Sequence, residues 1–356
     1  MRRVACVIVA GLLLPGLAGE GFKWRIDAAD EILRPDMPEA DSMGGLAWVS
    51  NSTYWAITDE KKKPVVWTLE LPTDAVTGKV SECRMSILCR PEGVVDAEAL
   101  VRDPLDGSMW IADERSCTIT RHDPLTGRRM PDVVELPQVL KRFYKDSGLE
   151  SLTIAPDGLA MWTCAEEAVE PDGPRSDRTH GTDVRLVRLV RASVGVPWRV
   201  DGQWIYRTDS IAGKAWLDSA GKDMSRSGIA ELCVLDDGSL LVLEREFSVV
   251  MIPRLRCRLY EVDFTGATDV ASRETLSAGG AAVKVQKRLL HETMGFSMYE
   301  GMCVGPKLAD GSRLLVFVSD GDKRSLRSVL TLRLSRRRGV APSCEAANCA
   351  QGGDGR

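Results

Sequence analysis

Four glutamates stand at the start of short apolar runs in well-separated parts of this sequence: Glu98, Glu150, Glu231 and Glu300. A second acidic set, Asp59-Glu60, Asp113-Glu114, Glu166-Glu167, Glu244 and Asp320, closes the apolar run that follows each start. If each pair of runs is a hairpin, strand start and partner end lie side by side, and both sets share one end of the unit. Carboxylates gathered in that number repel one another by several kcal/mol unless a cation is present, and hard oxygen donors suit calcium. The pattern therefore predicts a calcium site drawing on Asp59, Glu60, Glu98, Asp113, Glu114, Glu150, Glu166, Glu231, Glu244, Glu300 and Asp320. Glu98, Glu150, Glu231 and Glu300 are the candidates on which turnover would depend.

Basic residues follow most of the acidic ends: Lys61 to Lys63, Arg115, Arg245 and Lys323-Arg324. Beside metal-held carboxylates, Lys61, Arg115, Arg245 and Arg324 read as a seat for an anionic ester or phosphate ester. The third copy departs, because no base adjoins Glu166-Glu167; Arg175, Arg178 and His180 come only after a loop. The competing reading is strand-end ion pairs, which are common and individually weak. Asp106, Asp157, Asp237 and Asp310 each precede a glycine and are read as turn formers.

The elements that must position these groups recur five times. Gly44 to Trp48 leads through Asn51-Ser52 to Tyr54-Trp55-Ala56-Ile57, and Glu98-Ala99-Leu100 leads through Asp106-Gly107 to Met109-Trp110-Ile111-Ala112. The later copies start at Glu150, Glu231 and Glu300 and turn at Asp157-Gly158, Asp237-Gly238 and Asp310-Gly311. Each is a hairpin of aliphatic, aromatic and β-branched residues about a turn. A repeat near 50 residues is that of a propeller blade with outer strands between the copies. The prediction is an all-β propeller with five recognisable blade motifs. The long interval that holds Val184 to Val190 and Trp204 to Arg207 would carry a long insertion or a degenerate sixth blade, and six blades are the expectation. Trp55, Trp110 and Trp162 are read as blade packing.

Arg2-Arg3, an apolar run from Val4 to Leu14 and small residues to Gly19 have the parts of a cleaved secretory signal over 1–19. One domain over 20–338 and a flexible tail over 339–356 complete the expected organisation. The expectation is a secreted or periplasmic monomer with no membrane span. A net charge of -4 offers nucleic acid no attraction. Cys83 with Cys89, and Cys344 with Cys349, are close enough in sequence to bridge, whereas Cys233 and Cys303 read as buried packing. His122, His180 and His291 lack metal-ligand spacing. No Gly-x-Ser-x-Gly elbow, His-Glu-x-x-His or phosphate-cradling loop is present.

Asp96-Ala97-Glu98-Ala99-Leu100, Trp110-Ile111-Ala112-Asp113-Glu114, Gly148-Leu149-Glu150-Ser151-Leu152, Leu243-Glu244-Arg245 and Tyr299-Glu300-Gly301-Met302 resemble the repeated strands of the esterase-like phytase domain family. The resemblance runs over about residues 40 to 335. It implies calcium-assisted hydrolysis of a phosphate ester, phytate being the name-giving substrate. The carboxylates would then hold calcium, and Lys61, Arg115, Arg245 and Arg324 would steady phosphate. Gly44 stands where the other copies have Glu. Two further readings stay open: a non-catalytic, calcium-stabilised binding propeller, and a calcium-dependent lactonase.

Overall fold

A computed structural model describes residues 21–59, 61, 63–144, 147–249, 253–321 and 325–337. The expected signal and tail, Glu60, Arg324, Cys344 and Cys349 lie outside the described residues.

The chain forms five four-stranded antiparallel sheets. Strand β1 (Trp24–Leu33) comes first and is used last. Blade I holds β2 (Met43–Ser50), β3 (Thr53–Thr58), β4 (Val66–Glu70) and β5 (Arg84–Cys89). Blade II holds β6 (Ala97–Arg102), β7 (Met109–Asp113), β8 (Thr118–His122) and β9 (Arg129–Val134). Blade III holds β10 (Leu149–Ile154), β11 (Ala160–Ala165), β12 (Asp183–Val190) and β13 (Arg199–Arg207). Blade IV holds β14 (Arg226–Val234), β15 (Leu240–Val249), β16 (Pro253–Asp263) and β17 (Gln286–Gly295). Blade V takes β18 (Met298–Lys307), β19 (Arg313–Asp320) and β20 (Ser328–Arg336), and β1 pairs with β20 as its outer strand. The first and last strands thus share one sheet, which closes the ring.

Five apolar cores sit at the five blade interfaces, and the second strand of each blade feeds two of them. Tyr54 and Ala56 pack toward blade V, while Trp55 and Ile57 pack toward blade II. Leu241 and Leu243 face blade V, and Leu240 and Val242 face blade III. A strand buried on both faces has no polar side, which is why these runs read as unbroken hydrophobic stretches. Each large side chain so buried contributes about 1.5–3 kcal/mol. Trp110 and Trp162 belong to these cores, as the sequence suggested.

Among the described residues there are five blades and no sixth. Val184 to Val190 lies in β12 and Trp204 to Arg207 in β13, so the long interval supplies the outer strands of blade III plus long loops. The turn aspartates behave as read: Asp106, Asp157, Asp237 and Asp310 each accept a backbone N–H two residues on, at 2.9–3.1 Å. The Cys83–Cys89 bridge is not formed; both are buried free thiols. Cys83 precedes β5 and Cys89 ends it, and six residue steps at about 3.3 Å put their backbones roughly 20 Å apart, beyond any disulfide. Cys233 and Cys303 are buried in the cores, as expected. Among the described residues no helix is long and apolar enough to cross a membrane.

Candidate functional site at the acidic mouth

The inner strands β2, β6, β10, β14 and β18 surround the axis, each next to the following one. Every one carries a register slip near its start, which leaves one residue unpaired: Gly44, Glu98, Glu150, Ala230 and Glu300. A bulge bends the strand and re-aims the side chain it frees. The structurally equivalent set is therefore Glu98, Glu150 and Glu300, with Gly44 and Ala230 completing the ring. Glu231 sits one place further on, and a one-residue offset sends its side chain elsewhere. Its Oε1 accepts from the backbone N–H of Leu152 at 3.0 Å, wedged between blades. At Gly44 the reason is space, since a Cβ there would lie 2.6 Å from the carbonyl oxygen of Glu98.

Arg245, from β15, lies at the centre of the acidic group. It donates to Glu150 at 2.9 Å and to Glu166 at 3.1 Å, and also to Glu300. One guanidinium therefore binds carboxylates of blades III and V together, and the charge of Glu98 and Asp320 acts on it as well. Arg245 is thus a built-in counter-ion of the mouth, with its fork geometry spent on protein carboxylates.

The side of the mouth formed by blades I and II has no such guanidinium among the described residues. There, one carboxylate oxygen from each of Asp96, Glu98 and Glu114 lies within 4.8 Å of the others. Asp96 is buried, and its Oδ1 has no hydrogen-bond partner among the described residues. Lys61, largely exposed, is 3.5 Å from Asp96 on the other oxygen, and exposed Arg115 adds positive charge nearby. Glu114 accepts from the backbone N–H of Gly148 at 2.7 Å. A buried carboxylate with one oxygen lacking a donor, grouped with two more carboxylates, is the arrangement that a hard divalent ion satisfies.

The remaining candidates divide. Asp59 lies beside Asp320 and Asp96 at the mouth. Asp113 is not aimed at the axis: its oxygens accept from the backbone N–H groups of Val95, Asp96 and Ser116 and from the Ser116 hydroxyl. Glu244 faces blade III, accepting from Tyr206 at 2.6 Å, Lys287 at 2.5 Å and the N–H of Asp209 at 3.0 Å. Asp96, Glu167 and Arg175 join the site although none was among the predicted calcium ligands or the predicted anion seat. Arg175 lies 3.2 Å from Glu167 and donates to Ser147 at 2.6 Å, so it supplies in space the base that the third copy lacks in sequence. The Glu166-Glu167 doublet and the Asp-x-Glu spacing at 96–98 were the signals available.

Crowding and burial raise the proton affinity of this group. Burial, then Asp320, pushes Asp59 up to about 7. Burial, then Glu166, pushes Glu167 up to about 7 against the pull of Arg175. Glu98 is raised well above the usual range by burial, then Glu150, Asp59 and Glu114; burial likewise raises Glu150, with Arg245 opposing. These groups hold protons in the folded chain that the unfolded chain releases near pH 4. The native state then binds more protons than the unfolded one across that interval, so the slope of stability against pH is negative. Metal-stripped protein should therefore lose stability as pH rises from about 4 to about 7. Urea unfolding at either end of this window checks it, and a rise in stability across the window would contradict it.

A family model described as "Phytase-like: Esterase-like activity of phytase" matches residues 39–323, nearly the whole ring. The chain belongs to this phytase-like family. No match was found among curated protein sequences. Among solved structures, the phytase-like propeller is similar to a streptogramin B lyase at 12% identity, covering 90% of this chain and 100% of that one, with a TM-score of 0.37. It is similar to the PQQ-bound aldose sugar dehydrogenase of Streptomyces coelicolor at 14% identity, 87% and 100% coverage and TM-score 0.38. A hypothetical protein of Leishmania major gives 11% identity, 86% and 90% coverage and TM-score 0.41.

Proposed function

We propose that this phytase-like propeller is an exported, calcium-dependent hydrolase of phosphate esters or other esters, working at the acidic mouth. The observation that carries the reading is the Asp96–Glu98–Glu114 group with its partnerless buried oxygen. These three side chains would hold the ion, with Asp59 beside them. Bound there, calcium would supply a Lewis acid for the ester oxygen and a means of lowering the pKa of a water.

The chain's own residues divide the rest of the work. Lys61 and Arg115, at the rim on the same side, draw in an anionic ester and orient its charged oxygens. Arg245 holds Glu150 and Glu300 fixed and absorbs their charge, so the substrate's anionic group meets a less negative wall. Glu150, which is not among the three ion-holding side chains and which burial holds toward its protonated form, would pass a proton to the leaving alkoxide, and Arg245 would stabilise the carboxylate left behind. Cleavage of the ester bond would leave that alkoxide as an alcohol and the acyl or phosphoryl group bonded to the oxygen of water.

A second reading has a specific observation behind it. Glu150, Glu166 and Glu300 are already engaged by Arg245, as in a rigid collar, which fits a calcium-stabilised binding propeller. The experiment is thermal unfolding after metal stripping, then with calcium or magnesium returned, alongside turnover of aryl phosphates, aryl esters, phytate and lactones. Binding to the native state alone adds about 2.7 kcal/mol at one hundred times Kd. A calcium-selective rise with ester turnover supports the hydrolase, and a rise without turnover leaves the binding propeller. Lactone turnover in preference to the other substrates would instead identify a lactonase.

A further inference from the structure

The far end of the axial channel carries a different chemistry. Beginning two to four residues downstream of the bulges, roughly 7–13 Å along the inner strands, lies a pocket of about 280 Å³. Its wall takes Leu46, Val101, Leu152, Val234 and Met302, one from each inner strand. This pocket uses none of the acidic residues at the other mouth, so its occupancy does not depend on whether that mouth hydrolyses anything.

Two arginines line this pocket. Arg313 is neutralised by Asp236, which lines the pocket beside it. Arg102, the last residue of β6, is half-buried, and its side chain makes no hydrogen bond or ion pair among the described residues. An apolar cavity of about 150 Å³ holds a benzene-sized body, so this one has room for roughly twice that. A single unpaired guanidinium beside an apolar wall matches one planar anion bidentately. A phosphate ester, with close to two charges at neutral pH, would need a second free cation, and Arg313 is already taken.

We infer that the phytase-like propeller binds a small carboxylic acid with an apolar body in this pocket, its carboxylate on Arg102 and its hydrocarbon between the inner strands. The site would then be a second ligand site, on the face opposite the acidic mouth.

Octanoate is the probe, titrated calorimetrically into the full chain with calcium present and again after metal stripping. Saturable one-to-one binding, with Kd on the order of 0.1 mM for a body of this size, is the expected result in both states. Octanol, which lacks the charge, and acetate, which lacks the body, should each bind at least tenfold more weakly. Arg102→Gln should cost octanoate at least tenfold and leave octanol unchanged. Ala155→Trp, which fills the partly exposed rim, should weaken octanoate and octanol together. If one variant fails to fold, the other still decides the matter. No saturation at about a hundredfold higher octanoate, octanol binding as tightly as octanoate, or an unaltered Arg102→Gln protein would each overturn the proposal. Because binding is read with and without calcium, it can fail or succeed independently of the hydrolase reading.

Discussion

Arg245→Met should be the most damaging single substitution at the mouth, costing about 3 kcal/mol in metal-free buffer at neutral pH. Removing one partner of a buried ion pair typically costs about 3–5 kcal/mol, because the remaining charge is left uncompensated. The lower figure applies because the Arg245 side chain keeps 22% exposure. The stranded groups are Glu150, Glu166 and Glu300, each with a side chain only 7% exposed. Two consequences separate this from simple loss of packing. Arg245→Lys, which keeps the charge and loses the fork, should recover part of the stability. Millimolar calcium should rescue Arg245→Met more than it stabilises the parent, since three oxygen ligands have been released. Urea denaturation of the three proteins with and without calcium measures this. Equal stability of parent and Arg245→Met in metal-free buffer would show that the guanidinium is not the counter-ion of the mouth.

The second large effect has opposite signs in its two halves. Glu98→Gln combined with Asp96→Asn should abolish the calcium-dependent rise in melting temperature, weakening calcium at least a hundredfold, about 2.8 kcal/mol. Ester turnover should fall with it. In metal-free buffer the same variant should be more stable than the parent at neutral pH, because it removes mutual repulsion in the group. A purely structural role predicts destabilisation in both conditions. Glu244→Gln is the useful contrast: its carboxylate serves Tyr206, Lys287 and the Asp209 N–H, away from the axis. It should cost stability while leaving the calcium response intact. If calcium stabilises Glu98→Gln/Asp96→Asn as well as it stabilises the parent, the ion is held elsewhere.

Most of the fold was legible because a propeller blade writes itself locally. Asp-Gly turns, strands buried on both faces and acidic ends at a fixed spacing are properties of neighbouring residues, and five copies reinforce one another. The count of blades was less legible. Val184 to Val190 and Trp204 to Arg207 are strands wherever they fall, and only sheet pairing shows that they finish blade III.

The site was legible in outline and misread in detail for one physical reason. Residue type and strand position are sequence properties, whereas the direction of a side chain depends on register, and here each inner strand slips by one residue. That slip puts Glu98, Glu150 and Glu300 in equivalent places and substitutes Ala230 for Glu231. Neighbours in sequence also part company across a strand, so Arg245 turns to the carboxylates of the mouth while Glu244 turns to blade III. Asp96 was visible as one more acid, and its burial with a partnerless oxygen exists only once blade II is folded against its neighbours. The sequence by itself determined the repeated hairpin, the all-β class and the surplus of carboxylates at one end of each unit. The closed ring decided how the blades' carboxylates share an axis and a counter-ion, because Arg245 meets Glu150, Glu166 and Glu300 from more than fifty residues away.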